Sequence, residues 1–224
     1  MDYSERIARL ERFYEEGRLV RNDWGDGVEC ACLLTALCPE ASAPGERTAR
    51  IPADVLPPWV PPYIIMLADT AEDAAWPPIK RRFVKVARLL SKLDNEAWFS
   101  ARKRFLANAL DTAARNTLKR DEPEYTAIVV DVANVLRGDP TYMPRAALTE
   151  RVKGLRVTYD GVRGSDVVRL MALVRVAYED PARATHLLDM QVTVPILGEC
   201  FLSALEEQCA LVAANLEDTM KKNI

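Results

Sequence analysis

The sequence predicts an all-α protein, a single helical bundle of about eight or nine helices spanning residues 1–224, with room for one short hairpin near 156–163. Three observations point there. Nine of the fourteen prolines lie between Pro39 and Pro78, and the blocks 1–38, 79–122, 145–180 and 196–224 contain none. A residue that lacks an N–H and clashes with the preceding turn is thus kept out of the stretches where helices would run. Within those blocks apolar residues recur at helical spacing, and alternating β-branched runs are almost absent. A weak subdivision, 1–76 against 77–224, follows the proline content.

The first helix is expected from about Ser4 to Gly17, with Ile7, Leu10 and Tyr14 on one side and glycine as its stop. After a turn at Asp23-Trp24-Gly25-Asp26-Gly27, the apolar run 28–37 reads as a buried helix. Pro61-Pro62 and Pro77-Pro78 suit the opening turns of two more, where a missing N–H costs nothing. Trp59 and Trp76, beside these prolines, read as packing plugs. Helices over about 78–93, 95–120 and 124–136 follow, with Asp94 placed to cap the second and Gly138 closing the third.

Asp160-Gly161 between Val157, Thr158 and Val162 suits a tight primed turn, hence the hairpin at 156–163. Ser165 and Asp166 then open a helix over 166–178 that is apolar nearly all round, as a central helix would be. Pro181 and Pro195 open the last two, the second reaching about Lys222 with Lys221 and Lys222 at its negative end.

Several functional classes find no support. The N-terminal Met1-Asp2-Tyr3-Ser4-Glu5-Arg6 lacks the basic stretch and apolar core of an export signal, and the apolar stretches 63–68 and 167–178 are too short or too interrupted for a membrane span. The five cysteines, Cys30, Cys32, Cys38, Cys200 and Cys209, sit in apolar surroundings and read as buried, reduced thiols of a cytoplasmic protein. No glycine occurs from 46 to 137, so no glycine-rich phosphate loop lies in the longest helical region. His186, three residues before Asp189, is the sole histidine through which any imidazole mechanism would pass. Its plainer reading is a residue bonded to a neighbouring helix. No cofactor or metal is expected.

Two acidic sets suggest chemistry. Asp69 and Asp73 would share a helical face at i and i+4, and Asp23, Asp26 and Glu29 offer oxygens without the spacing of a calcium loop. Both read more simply as solvated faces or caps. An enzyme using Asp69 and Asp73 as metal ligands or acid–base groups remains an alternative.

Charge carries the most information. Residues 77–120 hold twelve Lys and Arg against three acids, a local +9 inside a chain of net −3, so the remainder carries −12. Ile79, Phe83, Val86, Leu90 and Leu93 form one apolar stripe, while Arg81, Lys85, Arg88 and Lys92 recur at +4, +7 and +11 on the opposite face. On the next helix Trp98, Phe105 and Ala109 face inward, and Arg104 and Arg115, with Lys103 near their edge, would widen the basic ridge into a patch. The expected function is non-catalytic, an adaptor or regulator docking an anionic partner, either a protein surface or a nucleic-acid backbone, through Arg81, Lys85, Arg88, Lys92 and Arg104. The competing arrangement packs the ridge against Glu206, Glu207, Glu217 and Asp218, cancelling charge within one fold. A homo-oligomer, with the helix over 166–178 at its seam, is the third option.

Overall fold

A computed structural model describes residues 1–42, 50–116, 123–138, 143–155, 171, 174–175 and 194–222. The all-α class holds: among the described residues there are eight α-helices and no strand, only an isolated bridge between Leu19 and Ala31. The expected hairpin at 156–163, most of the apolar helix over 166–178, and His186 lie outside the described residues. No helix among those described is long and apolar enough to cross a membrane. The chain divides into two units, one of Met1–Trp98 with Leu197–Ile224 and one of Phe99–Ile196.

In the first unit, α1 (Tyr3–Glu15) begins with a reciprocal cap. The Glu5 N–H donates to the Asp2 carboxylate at 2.9 Å, and the Asp2 N–H donates to the Glu5 carboxylate at 2.8 Å. Gly17, just past its end, takes φ +69°, as the stop requires. The buried side differs from the expected one, because Arg6, Leu10 and Phe13 are buried while Ile7 and Tyr14 are only half-buried.

The expected helix over 28–37 is corrected to a single short one, α2 (Leu33–Leu37). The preceding backbone is committed elsewhere. One oxygen of Asp26 accepts the N–H groups of Val28, Glu29 and Cys30, and Ala31 exchanges hydrogen bonds with Arg18 and Val20. Gly25, at φ +70°, lies so close to the Cys30 carbonyl oxygen that a Cβ would stand 2.3 Å from it. Cys32 then caps α2, its sulfur accepting from the Thr35 N–H. Cys30 is half-buried, unlike the other four thiols, which are buried as expected.

The proline pairs open α3 (Pro61–Asp69) and α4 (Trp76–Leu90) as the sequence implies. Asp94 caps the next helix, accepting the Ala97 N–H at 2.8 Å. The long final helix, α8 (Val194–Lys222), places Leu197, Phe201, Leu202, Leu205 and Cys209 in this unit's core. Gly198 is what lets α8 approach α3, since a Cβ there would lie 2.9 Å from the Leu67 Cα. Trp59 plugs this core, its ring 6.1 Å from those of Trp98 and Phe201 in edge-on geometry.

In the second unit, α5 (Asn95–Asn116) contributes Phe105, Leu106, Ala109 and Leu110 to the core, α6 (Pro123–Leu136) contributes Ile128, Val129, Val132 and Leu136, and α7 (Arg145–Gly154) contributes Leu148 and Val152. α6 and α7 pack together, and Arg151 ties them by pairing with Glu124 and Asp131. Residues 117–120 of the longer expected α5 lie outside the described residues.

Candidate interaction surface on α4

α4 is two-faced because apolar and basic residues alternate at helical spacing through one Pro-initiated block. Ile79, Phe83, Val84, Val86, Ala87 and Leu90 are buried, and Arg81, Lys85 and Arg88 stand exposed on the other side. Lys92, also exposed, follows the Ser91 cap, in the turn after the helix where its N–H bonds the Leu89 carbonyl. α1 braces the inner side of α4, with the Tyr3 hydroxyl donating to the Ala87 carbonyl at 3.0 Å.

The four cations differ in their company. Arg88 donates to Glu11 of α1 at 2.6 Å. Arg81, Lys85 and Lys92 hold no ion pair among the described residues. Arg104 belongs to the second unit, where it is half-buried and has an interaction of its own. The chemical content of the α4 face is therefore Arg81 and Lys85, with Arg88 and Lys92 beside them.

Arg82 was not singled out in the sequence, yet it decides how α4 meets the acidic C-terminal helix. Half-buried, it donates to both oxygens of Glu206 at 2.8 and 2.7 Å, to Ser203 at 3.3 Å, and to Glu199. These hydrogen bonds, that to Glu206 first, hold its guanidinium well above the usual arginine range. The signal in the sequence is the spacing of Glu199, Ser203 and Glu206, which puts three oxygens on one side of a helix. Glu217 and Asp218, further along α8, are exposed and hold no ion pair among the described residues.

Sequence reasoning also missed two arginines that serve the fold. Arg6, 3% exposed, meets Glu40 in a two-pronged pair at 2.8 and 2.5 Å. The pair lowers the Glu40 carboxyl below its ordinary value, chiefly through the hydrogen bonds from Arg6. Arg9 donates to the carbonyls of Thr35, Ala36 and Gly27 at 2.5 to 2.6 Å, closing the end of α2.

The expectation that Asp69 and Asp73 share a helical face is corrected, because α3 ends at Asp69. Asp69 accepts the Asn22 N–H at 3.0 Å, and Asp73 pairs with Arg21. Asp69 also lines a cavity of about 70 Å³ with Asn22, Asp23, Trp24, Cys32 and Ile65. That is far below the several hundred Å³ typical of a ligand pocket. The Asp23 and Asp26 carboxylates turn onto their own loop's N–H groups. No three His, Cys, Asp or Glu side chains converge as a metal site among the described residues. Burial pushes the Cys38 thiol up to about 12 and the Cys209 thiol up to about 11, which keeps both protonated and unreactive near neutrality.

No family model matches the chain, and no curated protein sequence or solved structure matches it significantly.

Proposed function

We propose that this chain is a non-catalytic docking protein whose basic α4 face takes an acidic protein surface. Arg82 absorbs two carboxylates of α8, whereas its neighbours Arg81 and Lys85 remain exposed without an ionic partner among the described residues. Among the described residues the α8 carboxylates pair with Arg82 and with none of Arg81, Lys85, Arg88 and Lys92, which supports this reading over neutralisation of the ridge by the C-terminal acids.

A protein partner is favoured over a nucleic-acid backbone by what surrounds the ridge. Arg81, Lys85 and Arg88 cover only about 11 Å of helix at 1.5 Å per residue. Glu11 and Glu199 flank them, and the chain is net −3. A long polyphosphate would run from the ridge onto like charge, while a short acidic helix fits between.

The test uses the whole chain with two probes, a glutamate-rich helical peptide and a 20-base-pair duplex, each titrated at low and moderate salt. Salt-sensitive binding of the peptide, lost on Arg81→Glu with Lys85→Glu, is the expected result. Duplex binding with a steep salt slope would transfer the surface to nucleic acid. Peptide binding that is unaffected by the double reversal would overturn the proposal.

A further inference from the structure

The last three turns of α8 differ from the rest of that helix. Up to Cys209 its apolar residues are buried, but Leu211, Leu216 and Met220 are 45, 47 and 60% exposed. Among them stand the exposed Glu217 and Asp218, with the exposed Lys221 one turn after Glu217. Ala213, Leu216, Glu217 and Met220 follow one another at i, i+3, i+4 and i+7, so this apolar face carries a carboxylate at its centre.

That carboxylate continues a stripe already used once within the chain. Glu199, Ser203, Glu206, Ala210, Ala213 and Glu217 succeed one another in alternating steps of four and three, one side of a single helix. At its beginning the stripe receives Arg82 of α4 between Glu199 and Glu206. At its far end Glu217 has no such partner among the described residues, and the alanines between leave the helix slim enough for close approach. Arg81 and Lys85, which have no ion pair among the described residues, would match it, and they sit on α4 beside the arginine that makes the internal contact.

We infer that the acidic surface taken by the α4 face is the end of α8 from a second copy of this chain, with Glu217 and Asp218 of each copy set against Arg81 and Lys85 of the other. This rests on the docking role assigned to α4 above. Leu216 and Met220 would lie along the aliphatic stems of the arginine and lysine, which cover apolar surface while their charged ends reach the carboxylates. A two-fold exchange makes the contact twice and closes the assembly as a dimer, doubling the area a three-turn helix can bury by itself.

The experiment is sedimentation of the full chain over a hundredfold concentration range at low salt, with circular dichroism to establish that each variant is folded. The mass should climb from one chain of 25.1 kDa toward two. Glu217→Lys with Asp218→Lys, and separately Arg81→Glu with Lys85→Glu, should each raise the dimer dissociation constant about tenfold or more, the equivalent of about 1.4 kcal/mol. An equimolar mixture of the two variants should dimerise again, because each acidic α8 then meets a native α4 and each basic α8 meets a reversed one. A one-chain mass at every concentration, a dimer indifferent to the reversals, or a mixture that stays dissociated would overturn the inference. If the chain stays monomeric while the glutamate-rich peptide still binds α4, the docking role stands and only the identity of the partner falls.

Discussion

On two helices of the first unit, particular cations meet opposite fates. On α1, Arg6 and Arg9 turn inward and are consumed by Glu40 and by the carbonyls around α2. On α4, Arg81 and Lys85 turn outward and meet nothing ionic among the described residues. The residue type is nearly the same, but the energetic role is set by burial. A guanidinium at 3% exposure must be paired, since leaving it unpaired in a poorly solvated site costs several kcal/mol. An exposed cation is hydrated and contributes little to stability until a partner arrives.

Glu40→Ala strips the counter-charge from Arg6 and should destabilise the unit by about 3 kcal/mol, the lower end of the range for a broken buried pair because Glu40 itself is partly exposed. Chemical denaturation of the variant and the native chain measures it. A loss below about 0.5 kcal/mol would place the pair with ordinary surface bridges.

Acid reaches the same pair without mutation. The folded-state Glu40 carboxyl lies below its ordinary value of 4.5, so its contribution is complete above that pH and is lost as pH falls through the lowered value. Melting temperature should therefore drop as pH decreases below about 4.5, and Glu40→Gln should flatten that fall. Asp2 and Asp26, whose carboxyls are lowered first by backbone N–H groups, titrate in the same direction in both proteins, so the difference between the two curves isolates Glu40. Parallel curves would show that Glu40 contributes nothing to the acid limb.

The smallest effect is expected on α4. Arg81→Ala with Lys85→Ala should change stability by no more than about 0.5 kcal/mol, the ordinary range for exposed positions, while weakening the glutamate-rich peptide. A large loss of stability would mean that the ridge is a structural element like α1.

The α4 face was legible from residue spacing because both its stripes are periodic and lie in one proline-free block. Helix period alone sends Ile79, Phe83, Val86 and Leu90 inward and Arg81, Lys85 and Arg88 outward. Arg82 escaped that reading, since it lies at the border between stripes and only its contact with α8 defines it. Residues 28–32 escaped it for another reason. Their apolar content suits a helix, but Asp26 and the segment 18–20 offer their backbone other hydrogen bonds, and a preference of a few tenths of a kcal/mol per residue cannot compete.

Residue order alone gives the all-α class, the proline-led openings of α3 and α4, the Asp94 cap of α5 and the two faces of α4, because these follow from local sterics, capping and periodicity. Tertiary structure decided which charges are spent. Arg6 chose Glu40 and Arg82 chose Glu199 and Glu206, across 34, 117 and 124 residues of chain, while Arg81 was left exposed beside them. Ionic attraction has no period along a sequence. Only packing brings such distant partners within reach and removes the water that would otherwise screen them.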